Sequence, residues 1–235
     1  MNRVKITAIA IVSVLFLVLC VPCTVWAKEK AGLGKREKVV LHKANKAIQN
    51  DDLQNARDMV RDFIKEQSGD VSARLFLFLG YTWYQGDEPA RAREVYKLGL
   101  KHAPGNKELH RNYAIACYQT GEFELAGEHF EQAYDLSREK EDGPGFDFLY
   151  RAGSAFYQEQ DYSGAKRVLQ RLDSGAEEMD SDWLKLLSRV YFNLEKWKEA
   201  EEIVNRLLDR EPLSRDCWKI LAQCNIRQKD YAAAA

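Results

Sequence analysis

Residues 73–106 read ARLFLFLGYTWYQGDEPARAREVYKLGLKHAPGN and contain two helical patterns separated by a short polar turn. In the first pattern, Phe76, Leu79 and Trp83 lie three or four residues apart, which places them on one face of a helix. A Gly-Asp pair at residues 86–87 then interrupts the pattern. Two helices of three to four turns fit in about 34 residues, so this stretch predicts a helical hairpin.

The same spacing recurs along the chain. Alanines recur at intervals of 34 to 39 residues, at Ala56, Ala92, Ala126, Ala165, Ala200 and Ala234. Twelve residues before each alanine stands another small residue, namely Ala44, Gly80, Ala114, Gly153, Ser188 and Ala222. Only small side chains fit where two helix axes cross closely, and one helix pair cannot bury its apolar faces alone. The spacing therefore predicts six stacked helix pairs with one continuous core.

This array resembles the tetratricopeptide repeat family. Residues 107–140 and 181–214 match the family well, and residues 37–70 and 146–179 match more loosely. The best match is residues 73–106, whose signature positions hold Phe76, Leu79, Gly80, Trp83, Ala92, Tyr96, Gly99 and Pro104. The resemblance implies an all-α fold, a right-handed superhelical solenoid of antiparallel helix pairs.

The first residues differ from the rest of the chain. Arg3 and Lys5 precede an uncharged run over Ile6–Val21, and small or modest residues end the segment at Ala27. This order is typical of a secretory signal peptide, with cleavage after Ala27. An uncleaved anchor helix is the alternative, since the run approaches the length of about 20 residues that spans a bilayer. Both interpretations export the remaining chain, so we expect it in the periplasm, or facing the periplasm and anchored by this segment.

The organisation that follows has four parts. They are a signal or anchor segment at 1–27, a linker at 28–36, repeats 1–3 at 37–140 and repeats 4–6 at 146–234. The charged run 137–145 is about five residues longer than the other turns, and both a hinge and a longer rigid turn remain open. The last repeat is incomplete, so we expect the natural polypeptide, or a partner, to continue its second helix.

Composition and motifs argue against nucleic-acid binding, catalysis and metal binding in this chain. Its formal net charge of −1 lacks the basic surplus of a nucleic-acid binder. Three cysteines follow the leader, an odd number that does not suit a disulfide framework, and we predict that Cys117, Cys217 and Cys224 are small buried hydrophobes. The histidines are scattered, and His110 falls on an apolar stripe where a packing role is expected. We therefore predict no catalytic residue, cofactor or metal site, and expect that the protein is not an enzyme.

The resemblance implies that the first helix of each pair lines a concave groove, which the family uses to bind peptides and helices. Near the end of each first helix an amide follows an aromatic residue in four of five repeats, at Tyr84-Gln85, Tyr118-Gln119, Tyr157-Gln158 and Phe192-Asn193. Amides donate and accept hydrogen bonds at once, so this ladder suits an extended backbone. The alternative is that the aromatics serve packing and that the glutamines are simply exposed helix formers.

Further groove candidates lie nearer the start of these helices. They include Tyr81, Asn112 and Tyr150. Four cations are predicted to hold a carboxylate or, alternatively, to form a solvated face, namely Arg111, Arg151, Lys185 and Arg189.

The leader and the repeats together favour a protein–protein interaction scaffold or adaptor in the bacterial cell envelope. Its partner would be a protein or peptide, with no nucleic acid, and it would meet the membrane only through an uncleaved N-terminal segment. The alternative is the non-catalytic repeat region of a larger envelope assembly, secretion or polysaccharide-export protein. An enzyme with an unrecognised site is a third, less favoured hypothesis.

Overall fold

A computed structural model describes residues 34–67, 71–139, 145–173 and 180–228. These residues form α-helices and contain no strand, as the sequence predicts. The helices are α1 (Lys35–Gln49), α2 (Leu53–Glu66), α3 (Ala73–Gln85), α4 (Pro89–His102), α5 (Lys107–Gln119), α6 (Phe123–Glu139), α7 (Phe146–Gln158), α8 (Tyr162–Asp173), α9 (Ser181–Asn193), α10 (Trp197–Arg210) and α11 (Arg215–Arg227). The predicted signal segment and the predicted second helix of repeat 6 lie outside the described residues.

Consecutive helices pair as the repeat spacing predicts. Repeats 1 to 5 are the pairs α1–α2, α3–α4, α5–α6, α7–α8 and α9–α10, and α11 is the first helix of repeat 6. Each second helix also packs against the first helix of the next repeat, so the pairs form a solenoid with one core. Helix α1 begins at Lys35, inside the segment that the sequence assigns to a linker.

The small residues lie where the helices of a pair cross. The alanines of the repeat are fully buried, at 0 % exposure, at Ala56, Ala92, Ala126, Ala165 and Ala200. A Cβ atom on Gly80 would lie only 2.2 Å from Cε1 of Tyr96, and one on Gly153 only 2.6 Å from Cδ2 of Leu169. The spacing of small side chains is therefore set by helix contact.

The turn inside each repeat has one conformation. The second residue after the first helix has a positive φ, at Asp51 (58°), Asp87 (58°), Gly121 (82°), Gln160 (66°) and Glu195 (58°). In four of the five turns, all but that of repeat 4, the next residue donates its N–H to the carbonyl five residues back, as from Asp52 to Ala47 and from Glu122 to Cys117, both at 2.9 Å. These bonds satisfy the carbonyls that a helix leaves free at its C-terminus.

All three described cysteines are free and buried, as predicted. Burial raises the pKa of the Cys117 thiol and raises that of Cys224 to about 11. Both thiols therefore stay protonated at neutral pH and pack as small apolar groups. In the part of the chain that the structure describes, no helix is both long and apolar enough to cross a membrane.

Repeats 1 and 2 are joined by the buried side chain of Arg57 on α2. Its Nη2 donates to the carbonyl of Thr82 at 2.6 Å, and its guanidinium carbon lies 4.1 Å from the ring centre of Trp83. Glu88 lies 3.6 Å from Nη1 of the same guanidinium. The arginine therefore links the second helix of one repeat to the first helix of the next.

Repeats 3 and 4 are joined on their outer side by ion pairs between α6 and α8. Glu131 accepts from Arg167 at 2.5 Å and from Arg171 at 2.7 Å, and Arg171 also donates to Asp135 at 2.5 Å. Burial alone would raise the pKa of Glu131, but the two arginines outweigh it and the pKa lies below its ordinary value. The carboxylate is therefore held ionised between the two repeats.

Helix α6 absorbs part of the extra length that the sequence shows before repeat 4. It has 17 residues, against 14 in α2, α4 and α10, and it includes Ser137, whose hydroxyl donates to Ala133 at 2.8 Å. Helix α7 packs against α6. Among neighbouring first helices, α3 contacts α5 and α7 contacts α9, but α5 and α7 lie farther apart. The first helices are thus spread apart at the junction of repeats 3 and 4.

Candidate functional site

Apart from α5 and α7, the first helices of neighbouring repeats contact one another directly, which places the first helices on the inner side of the solenoid. We call the solvent-facing side of α3, α5, α7 and α9 the first-helix face. It carries every predicted groove residue, and none of them is fully buried. They are Tyr81, Tyr84 and Gln85 on α3; Arg111, Asn112, Tyr118 and Gln119 on α5; Tyr150, Arg151, Tyr157 and Gln158 on α7; and Lys185, Arg189, Phe192 and Asn193 on α9.

The predicted ladder is partly closed on itself. Nε2 of Gln119 donates to the hydroxyl of Tyr84 in the preceding repeat at 2.8 Å, and Nδ2 of Asn193 donates to the hydroxyl of Tyr157 at 3.3 Å. We call each such amide and the tyrosine of the preceding repeat a rung. In the closed rungs, the amide nitrogens already have partners inside the protein, whereas neither amide oxygen accepts a hydrogen bond from another described residue.

The aromatic residues of the ladder also have a packing role. The rings of Tyr118 and Phe123 lie 5.1 Å apart, and those of Phe192 and Trp197 lie 5.0 Å apart, both edge to face. In each case the second ring opens the following helix, so the contact braces the two helices of one repeat. The packing interpretation of the sequence therefore has support, while the hydroxyls and amides remain on the first-helix face.

The rung between repeats 3 and 4 is open. Within the described residues, neither the hydroxyl of Tyr118 nor the side-chain amide of Gln158 has a hydrogen-bond partner. The cause is the spacing of the helices, because α5 and α7 lie farther apart than the other neighbouring first helices. The face thus presents an unpaired hydroxyl and an unpaired amide across a widened gap.

The four predicted cations differ in their partners. Nε of Arg151 donates to Asp147 at 2.7 Å, and Nζ of Lys185 lies 3.1 Å from Glu211. Arg111 and Arg189 have no carboxylate within ion-pairing distance among the residues that the structure describes. Arg189 is exposed, but Arg111 is half-buried, and burial lowers the pKa of its guanidinium.

Comparison with known families agrees with the repeat pattern. Two family models, both described as Tetratricopeptide repeat, match residues 41–106 and 83–144 in one case and residues 156–224 in the other. This chain belongs to the tetratricopeptide repeat family. Proteins of this family are typically non-catalytic scaffolds that bind proteins or peptides.

Solved tetratricopeptide repeat structures share the fold. A tetratricopeptide repeat protein from Parabacteroides merdae aligns over 86 % of this chain and 77 % of its own, with 19 % identity and a TM-score of 0.59. YrrB, described as a TPR protein with an unusual peptide-binding site, aligns over 76 % and 88 %, with 15 % identity and a TM-score of 0.59. MamA from Desulfovibrio magneticus RS-1 aligns over 69 % and 88 %, with 22 % identity and a TM-score of 0.56. No curated protein matches the chain. At these identities the likeness shows the fold alone.

One pair of side chains in this tetratricopeptide repeat array could not be found from sequence spacing. His110 and His129 are 19 residues apart, yet their Nδ1 atoms lie 2.8 Å from each other. Nε2 of His110 also lies 2.8 Å from the carbonyl oxygen of Pro104, which can only accept, so that nitrogen carries a proton. With both rings neutral, His110 accepts at Nδ1 from His129, whose pKa is lowered by burial and by the neighbouring His110. The packing role predicted for His110 holds, and its partner is the second histidine.

The described part of the array contains no group of three or more histidine, cysteine or acidic side chains that could hold a metal ion. The two facing histidines lie in the contact between α5 and α6, where His129 also packs edge to face on Tyr113 at 4.6 Å. The chemistry available on the first-helix face is therefore hydrogen bonding, aromatic contact and charge recognition.

Proposed function

We propose that this tetratricopeptide repeat array holds an extended segment of a partner protein against its first-helix face, as an adaptor in the bacterial cell envelope. The observation that carries the proposal is the ladder of exposed amides beside half-buried aromatic residues, three tyrosines on α3, α5 and α7 and Phe192 on α9. Amides at regular intervals match a backbone that offers a donor and an acceptor at every residue. Tyrosines beside them add apolar contact with little loss of side-chain entropy.

The open rung gives an incoming chain two groups to bond. Because α5 and α7 are spread apart, the hydroxyl of Tyr118 and the amide of Gln158 do not satisfy one another and remain available to a ligand. YrrB, which shares the fold, is described as having an unusual peptide-binding site, and this encourages the same use of the fold here.

The proposed location in the cell envelope rests on residues 1–27, whose sequence is typical of a signal peptide or anchor. Fractionation of cells that express the full chain tests it, with a deletion of residues 2–27 as the control. The full chain is expected in the periplasmic or membrane fraction, and the deletion in the cytoplasm. Recovery of both forms in the cytoplasm contradicts the envelope assignment.

Photo-crosslinking tests the binding face. A photoreactive phenylalanine analogue replaces Gln158 on the first-helix face and, as a matched control, Arg206, which is exposed on α10. Light is expected to link one defined protein to the Gln158 variant and none to the Arg206 variant. That protein, once purified, is expected to compete for the link at saturable concentrations. Equal linking from both positions, or linking that the purified protein does not reduce, contradicts binding at this face.

A further inference from the structure

Of the four predicted cations, Arg111 is the one that is half-buried and has no carboxylate partner. Burial lowers the pKa of its guanidinium, and its Nε donates to Oδ1 of Asn112 at 3.2 Å. No carboxylate of the described residues lies within ion-pairing distance. A guanidinium has five N–H donors in a planar fork, so most of its donors have no protein partner here. Charges removed from water are normally paired, because an unpaired one is costly.

The carboxylates near Arg111 are paired with other cations. Glu108 and Asp147 act on it electrostatically from a distance, but Glu108 lies 3.8 Å from Nζ of Lys107 and Asp147 is engaged with Arg151. The hydroxyl of Tyr96 is also within electrostatic range and is neutral, since burial raises its pKa. With both carboxylates paired elsewhere, one positive charge, that of Arg111, is left over at this point of the face.

Arg111 lies on one of the two helices that carry the open rung. Arg111 and Tyr118 are on α5, and Arg151 and Gln158 are on α7, so both features belong to the gap where these helices are spread. The first-helix face continues on both sides of the gap, through Tyr84 on α3 and onto α9. A bound chain that follows the ladder thus passes the gap and continues, which places an internal residue at Arg111.

We infer that the gap between α5 and α7 receives an acidic side chain from within an extended partner segment, with its carboxylate on the fork of Arg111. This inference rests on the proposed function and adds the chemistry of the ligand. The amide of Gln158 and the hydroxyl of Tyr118 take the flanking backbone. A terminal carboxylate would end the chain at the gap and leave half of the ladder without contact.

Selection from a library of random 12-residue peptides, displayed with a fixed linker at both ends, tests this inference. The linkers remove free carboxyl termini, so an anion can come only from a side chain. Selected peptides are expected to share one aspartate or glutamate flanked by apolar or aromatic residues. Binding is measured for a selected peptide, for its acid-to-amide variant, and for the array with Arg111→Gln or the control Arg206→Gln.

The expected result is a loss of about tenfold to a hundredfold in affinity for Arg111→Gln, the range for losing a hydrogen bond to a charged group. The acid-to-amide peptide should lose a similar factor on the wild-type array and little more on Arg111→Gln, because both changes remove the same contact. Arg206→Gln should bind as the wild type does. The melting temperature of Arg111→Gln should be equal to or above that of the wild type, since a poorly compensated buried charge is removed. If Arg111 instead held the fold together, its replacement would lower the melting temperature.

Other outcomes separate the inference from the proposed function. If the selected peptides lack a shared acid but lose binding when Gln158 and Tyr118 are replaced by alanine, the face binds peptides and the inference about Arg111 is wrong. If the binding of no peptide depends on Arg111 or on the open rung, both the inference and the proposed function are wrong. If free-ended peptides bind and amidated ones do not, a terminal carboxylate occupies the gap, which also overturns the inference. Should Arg111→Gln fail to fold, the peptide's acid-to-amide change on the wild-type array decides.

Discussion

Replacing His129 by asparagine should change how the stability of the array depends on pH. In the native protein, His129 donates from Nδ1 to Nδ1 of His110 across 2.8 Å. Burial, together with the neighbouring His110, lowers the pKa of His129 to about 4. An asparagine amide can donate from nearly the same place but takes up no proton. The substitution therefore removes the titration and retains a donor for His110.

The direction and size of the change in stability with pH follow from proton linkage. An unfolded histidine titrates near pH 6.5, so between about pH 6.5 and 4 the unfolded state binds a proton that the native state excludes. The stability that neutral His129 contributes is complete above about pH 6.5. Within this window it falls by up to about 1.4 kcal/mol for each unit by which the pH is lowered. By pH 4 the loss reaches at most about 3 kcal/mol. His129→Asn also gives up the ring contact with Tyr113, a cost of about 1 kcal/mol.

Urea unfolding followed by circular dichroism at pH 7.5, 6.0, 5.0 and 4.5 measures this effect. The wild type should be the more stable protein at pH 7.5, and the difference should vanish or reverse by pH 4.5. His42→Asn, at an exposed histidine of α1, should keep the wild-type pH dependence. Parallel curves for wild type and His129→Asn between pH 6.5 and 4.5 would refute the assignment of a proton-excluding pair at this helix contact.

Two further predictions concern packing and ion pairs. Gly80→Ala should lower the free energy of unfolding by about 1–3 kcal/mol in urea titrations, because its Cβ would overlap the buried ring of Tyr96. Gly105→Ala, where no atom lies within 4 Å, should leave it unchanged or slightly raised, and equal effects at both sites would contradict close helix contact at Gly80. Glu131→Gln should lower it by about 1 kcal/mol in dilute buffer and by less in 1 M NaCl, whereas Glu128→Gln, exposed on the same helix, should have little effect. A loss at Glu131 that does not depend on salt would argue against an ionic link between α6 and α8.

The sequence predicts this fold well because its strongest signals are local. The small residues, such as Ala92 and Gly80, recur at fixed spacing, and each one marks a helix contact inside its own repeat. Family profiles detect the same period. The turns are also predictable, since polar residues or glycine fall between helices at each expected place.

The remaining features depend on which side chains meet within a helix pair or between one repeat and the next. His110 and His129 meet only because α5 and α6 bring positions 19 residues apart into one contact. Arg57 bonds to Thr82, 25 residues away in the next repeat. The open rung depends on the spread of α5 from α7, which the longer run before repeat 4 suggests but does not determine. The predicted groove residues do share one face, yet spacing alone could not separate Arg111 from the cations that already have carboxylate partners.

The left-handed turns inside the repeats have a consequence for recognising relatives of this chain. Of the five positive-φ positions, Gly121 holds the residue that such backbone favours, Asp51 and Asp87 are of a type that tolerates it, and Gln160 and Glu195 have no preference for it. At Gln160 and Glu195, helix packing on both sides, and not local preference, imposes the turn geometry. Related arrays can diverge freely at these positions, so a search keyed to a periodic glycine would overlook them, and the buried alanines offer the more durable signature.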